Sequence, residues 1–96
     1  MTTQERAKLR GYGSLLKDLV FIGKEGVTDN VIAQINDNLY AHELIKIKVQ
    51  RNAPEEIKTM ADDIADKCEC EVVSIIGSKI LVYKVTNKPK FNHLLG

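Results

Sequence analysis

The chain has 96 residues, 44% of them hydrophobic, enough to fill the core of one small domain without disulfides or metal. Its net charge of +1 does not by itself call for a polyanionic partner, and no apolar run reaches the roughly 18 residues of a membrane span. The polar start, Met1 to Lys8, is unlike a charged-then-apolar export signal, so the expected location is the cytoplasm.

The charges are nevertheless segregated. Residues 55–71 hold seven acids (Glu55, Glu56, Asp62, Asp63, Asp66, Glu69, Glu71) against Lys58 and Lys67, a net of −5, while the rest of the chain carries +6. Lys46, Lys48 and Arg51 stand in 44–54 without an acid, and four lysines follow Val72, again without one. A fold that turns the acidic segment away leaves a basic face. A dipolar surface with no ligand fits the same pattern.

In chain order, Thr2 and Glu5 make a capping-box pattern, and Leu9, Tyr12, Leu15 and Leu16 recur at helical spacing. They predict a first helix over roughly residues 3–16, weakened by Gly11 and Gly13. A short strand at 19–22 follows, then the tetrad Gly23-Lys24-Glu25-Gly26, then a helix capped by Thr28 with Val31, Ile32, Ile35 and Leu39 on one side. In Leu44–Val49, Ile45, Ile47 and Val49 alternate with Lys46 and Lys48, the pattern of a half-exposed strand. Asn52 and Glu55 bracket Pro54 as at a helix start, and Ile57, Met60, Ala61, Ile64, Ala65 and Cys68 form the apolar stripe of a third helix. Asp62, Asp63 and Asp66 fall off that stripe and predict a solvated, negative outer face. Val72–Ile76 and Lys79–Val85 flank Gly77-Ser78, a two-residue hairpin turn with glycine first. The last residues, 87–96, read as a loosely ordered tail after a single domain over 1–86.

The order is α-β-α-β-α-β-β, an α/β (α+β) domain in which helical crossovers join the first three strands and a hairpin adds the fourth to a mixed sheet. Right-handed crossovers put the second and third helices on one face. The third and fourth strands are apolar on both faces, so the first helix must cover part of the other. A single helix leaves the region of Lys46 and Lys48 open.

The glycine tetrad carries the chemistry. Two glycines let a ligand approach the backbone, and the following helix start offers unpaired N–H groups and the positive end of its dipole to an anion. Lys24 adds a mobile cation, although a plain strand-to-helix turn would also use glycines here. Lys46 and Lys48, with Arg6, Arg10 and Lys17 expected on the first helix, extend the same surface. Such a footprint gains mainly from counterion release and discriminates little between bases. The five aromatics (Tyr12, Phe21, Tyr40, Tyr83, Phe91) show no interleaved strand pattern for stacking single-stranded bases, so a structured RNA fits better.

Catalysis finds little support, because no nucleophile, base and orienter gather near the tetrad. His42 suits a helix C-terminus, His93 lies in the tail, and Glu55-Glu56 and Asp62-Asp63 point in different directions on a helix. Cys68 and Cys70, one residue apart, read as reduced thiols. No metal or small-molecule cofactor is implied.

Leu9-Arg10, Ile22-Gly23-Lys24-x-Gly26-x-Thr28, His42-Glu43-Leu44-Ile45-Lys46-x-Lys48 and Ile76-Gly77 with Val82-Tyr83 together resemble the CRM (chloroplast RNA splicing and ribosome maturation) domain in its stand-alone bacterial, YhbY-like form, over roughly residues 5–84. The resemblance implies a fold related to the C-terminal domain of translation initiation factor three, with a GxxG loop likened to that of KH domains. It also implies association with precursors of the large ribosomal subunit. Carried onto this sequence, the implied RNA-binding residues are Gly23, Lys24 and Gly26, with Thr28, and with basic support from Arg10, Lys17, Lys46 and Lys48. Glu25 departs from a purely cationic loop. Plant relatives join several such domains, so their splicing roles do not transfer. The expectation is a non-catalytic, monomeric RNA-binding protein acting on rRNA in large-subunit assembly. A protein-interaction module using the acidic helix or the apolar strands, and a small phosphate-handling enzyme, are its rivals.

Overall fold

A computed structural model describes all 96 residues. Helix α1 (Thr3–Gly13) opens on a complete capping box, with Glu5 N–H donating to Thr2 Oγ1 at 3.0 Å and Thr2 N–H to Glu5 Oε1 at 2.8 Å. The remaining elements are β1 (Asp18–Ile22), α2 (Asp29–His42), β2 (Leu44–Val49), α3 (Ile57–Cys68), β3 (Glu71–Ile76) and β4 (Lys79–Tyr83). The sheet order is β1-β2-β4-β3, with β1 and β2 parallel and β4 antiparallel to both of its neighbours. The hairpin strand β4 is thus inserted between β2 and β3.

Alternation along the strands sorts side chains into two cores. Val20, Ile22, Ile45, Ile47, Val49, Ile80 and Val82 face α2 and α3, meeting Ile35 and Leu39 from one and Met60, Ala61 and Ile64 from the other. On the opposite face Leu44, Val73, Leu81 and Tyr83 pack under Leu9 of α1. The acids of α3 therefore lie across the sheet from Lys46 and Lys48. Two of them are held by i,i+4 partners, Lys58 to Asp62 at 2.6 Å and Lys67 to Asp63 at 3.2 Å.

Three local expectations change. Helix α1 stops at Gly13 rather than residue 16, its last i→i−4 bond running from Ser14 N–H to the Arg10 carbonyl at 3.1 Å. Leu15 and Leu16 donate instead to Tyr12 and Gly13 in tight turns. Lys17 and the exposed Leu15 consequently belong to the link into β1 and not to the helix. The third helix begins at Ile57, and its N-cap Glu56 makes no side-chain cap bond, so the Asn52–Glu55 bracket forms a loop and not the cap itself. Residues 87–96 have no helix or strand, and they are anchored: Leu94 and Leu95 pack on the Leu9 cluster, and Leu94 N–H donates to buried Glu43 at 3.1 Å.

Candidate nucleic-acid interface

The Gly23–Gly26 tetrad is a closed turn, with Gly26 N–H donating to the Gly23 carbonyl at 3.0 Å. Gly26 has φ +72°, and a Cβ there would lie 3.0 Å from Pro54 Cγ, so this position requires glycine twice over. Gly23 is crowded only by the flexible tip of Gln50. Lys24 and Glu25 occupy the exposed centre of the turn, and their N–H groups make no bond within the chain. Thr28 then caps α2 by accepting from Val31 N–H at 3.1 Å, which leaves the first amides of α2 facing the same region. Backbone donors and the helix dipole are thereby gathered beside one mobile cation.

Two further segments meet this turn. Gln50 N–H donates to the Ile22 carbonyl at 2.8 Å, joining the exit of β2 to the exit of β1. Val49 N–H donates to the Ser78 carbonyl at 2.7 Å, bringing the Gly77-Ser78 hairpin to the same sheet end. Glycine at the first hairpin position has φ +60°, the backbone this two-residue turn demands. Lys48 follows the same geometry, its Nζ donating to Ser78 Oγ at 2.5 Å. Arg51 is exposed in the loop beyond Gln50.

The structure therefore divides the candidate residues by place. Gly23, Lys24, Gly26, Thr28 and Lys48 lie at one end of the sheet. Lys46 is one row further back and donates to the Leu16 carbonyl at 3.1 Å. Lys17, at the opposite end of β1, lines an apolar groove with Tyr12, Leu15, Leu16, Leu19 and Leu94. Arg10 is exposed on α1. Arg6 is committed elsewhere, its Nη1 donating to the Val72 and Val73 carbonyls at 2.8 Å each, where β3 bulges against β4. Lys79 is the cation the sequence reading did not single out. Its register partner is Lys48, and its Nζ lies 3.2 Å from Asp18 Oδ2. Only the order of β4 next to β2 brings it there, and no local pattern in the sequence encodes that order.

Neither cysteine offers chemistry to this surface. Burial pushes the Cys68 thiol up and raises that of Cys70 to about 11, so both stay protonated near neutral pH.

Three helices on a four-stranded mixed sheet, with a glycine turn leading into α2 at one sheet end, define a small α+β domain. The chain belongs to the CRS1/YhbY (CRM) domain family, whose model matches residues 1–84. It is 33% identical over 90 residues to the probable RNA-binding protein YqeI of Bacillus subtilis, covering 94% of each chain. It is 27% identical over 92 residues to a probable RNA-binding protein of Pseudomonas aeruginosa, covering 96% of this chain and 88% of that one. Among solved structures it resembles the solution structure of a Staphylococcus aureus protein described as a candidate RNA-binding protein, with a TM-score of 0.79, 32% identity and 94% of each chain covered.

Proposed function

We propose that this protein binds RNA without catalysis, and that its target is a structured element of rRNA in precursors of the large ribosomal subunit. The observation that carries the reading is the meeting of three segments at one sheet end: the Gly23–Gly26 turn with the α2 start, the Gln50–Arg51 exit of β2, and the Gly77-Ser78 hairpin. They bring exposed amides together with Lys24, Lys48 and Lys79, while the acids of α3 lie on the far face. Backbone phosphates match this donor set, because unpaired N–H groups and ammonium ions recognise anionic oxygens without reading bases. The names of the relatives support RNA as the polyanion. The ribosomal target rests on the resemblance to YhbY-like proteins, and the cytoplasm is where such a protein would meet it.

The test is the variant carrying Lys24→Ala, Lys46→Ala and Lys48→Ala. Its affinity for rRNA fragments should fall by a similar factor across sequences, with a shallower salt dependence. Unchanged affinity refutes the site. In a gradient profile, comigration with free large subunits should disappear at raised salt, whereas comigration that survives nuclease treatment would favour a protein partner.

A further inference from the structure

Phe21 is an aromatic ring that the two cores do not use. Val20 and Ile22 point toward α2 and α3 and are fully buried, so the alternation of β1 turns Phe21 to the other face, where it is 53% exposed. Its register partner is Lys48, the partner of Lys48 is Lys79, and the partner of Lys79 is Ile76, itself 69% exposed. One row thus crosses all four strands as Phe21, Lys48, Lys79, Ile76. Helix α1 packs further back, on Leu81 one row away and Leu44 two rows away, and leaves this row uncovered.

The charge of the row is settled by its neighbours. Asp18 is the acid that reaches this row, and Lys79 neutralises it at 3.2 Å, whereas Glu71 shares the face two rows back, opposite Tyr83. Lys46 and Lys48 bond only uncharged oxygens, of Leu16 and Ser78, so a net positive charge remains beside the ring. Strands lie about 4.8 Å apart, which sets Lys48 one strand and Lys79 two strands from Phe21. Gly23 follows Phe21 by two residues, so ring and phosphate cradle are adjacent along one strand.

Resting on the RNA-binding reading above, we infer that Phe21 stacks an unpaired base of the bound RNA while Lys48 and the Gly23–Gly26 turn hold its flanking phosphates. An apolar ring with a lysine beside it suits a nucleotide, which offers a π-face and an anion together, better than an apolar protein surface, which would leave the lysine unpaired. The substrate class is then a structured RNA that presents a bulged or looped-out nucleotide, and not a continuous duplex.

The experiment compares wild type, Phe21→Ala, Phe21→Tyr and the Lys24→Ala, Lys48→Ala double variant against three labelled RNAs: a single strand, a blunt duplex, and a hairpin with one bulged adenosine. Phe21→Ala should bind the single strand and the bulged hairpin about tenfold more weakly, and the duplex unchanged. Phe21→Tyr should restore affinity, and the ring protons of Phe21 should move upfield on addition of the bulged hairpin. If Phe21→Ala matches wild type on all three RNAs while the double variant loses affinity for all three, stacking is refuted and the phosphate reading stands. A loss that extends equally to the duplex also refutes stacking. Failure of the wild type to bind any of the three overturns both readings.

Discussion

His93 Nδ1 bonds the Oε2 of Glu43, a carboxylate with no solvent exposure, across fifty residues of chain. Thr86 N–H donates to the same oxygen at 3.0 Å and Leu94 N–H to Oε1 at 3.1 Å. Glu43 itself ends α2 in a positive-φ conformation, φ 66°. One residue therefore closes α2 and leads into β2 through its backbone, and through its side chain fastens the C-terminal segment over the Leu9 cluster. Glu43→Gln should cost about 1–3 kcal/mol, because it replaces a charged acceptor and leaves buried donors poorly matched. Urea unfolding checks this, with the loss seen in the midpoint.

The same carboxylate predicts an acid limb. Burial pushes the Glu43 carboxyl up, but the bonds from Thr86, His93 and Leu94 outweigh it and hold the group below its ordinary 4.5. A depressed folded value means that the stabilisation is fully present above that ordinary value and drains away as pH falls through the folded one. Unfolding midpoints measured downward from neutral pH should therefore drop below about pH 4.5, and Glu43→Gln should flatten that part of the curve. An identical acid limb in the variant would assign the effect to other carboxylates.

Much of this architecture was legible because it is written in local period. The stripe Ile57, Met60, Ala61, Ile64, Cys68 and the alternation Ile45, Ile47, Val49 each match a buried face. The tetrad, the Thr28 cap and the Gly77-Ser78 turn were readable for the same reason, since each is fixed by residues within a few positions of one another. Pairings over long distances were not. The insertion of β4 between β2 and β3, which sets Lys79 beside Lys48, depends on which strand best buries both of its faces. The Glu43 anchor joins a helix end to residues some fifty positions later, and nothing in residues 87–96 read alone shows it. Phe21 was visible as an aromatic, but its place in a lysine row exists only after register is known.

The separation of cations along the sheet gives a graded prediction. Lys24→Ala with Lys48→Ala should reduce RNA affinity more than Arg10→Ala with Lys17→Ala, because the first pair flanks the glycine turn and Lys17 sits at the far end of β1. The slope of log affinity against log salt should become shallower by about 0.7–0.9 for every phosphate that a removed cation had neutralised. Filter binding over a salt series reads both quantities, and equal losses from the two pairs would spread the interface over the whole face.

At the turn, Gly26→Ala should destabilise by about 1–2 kcal/mol, since a Cβ at φ +72° is strained and meets Pro54. Gly23→Ala should cost less, because the Gln50 tip can swing away. Thermal melts of the two variants rank them, and a larger loss at Gly23 would contradict this account of the loop.

The two glycines of α1 should respond to alanine in opposite directions. Gly11 has open space around the position of a Cβ, so Gly11→Ala gains helix propensity and should stabilise by up to about 1 kcal/mol. A Cβ on Gly13 would lie 2.5 Å from Leu81 Cδ2 and 2.9 Å from Cδ1. Leu81 is buried between Leu9 and the sheet, so its branch cannot retreat without displacing the small core under α1. Gly13→Ala should therefore destabilise by about 1–3 kcal/mol despite the better helix former, an overpacking cost. Pairing it with Leu81→Ala, which removes the obstructing methyls, should yield a loss smaller than the sum of the two single losses. Additive losses in that double variant would mean that α1 does not rest on Leu81 through Gly13.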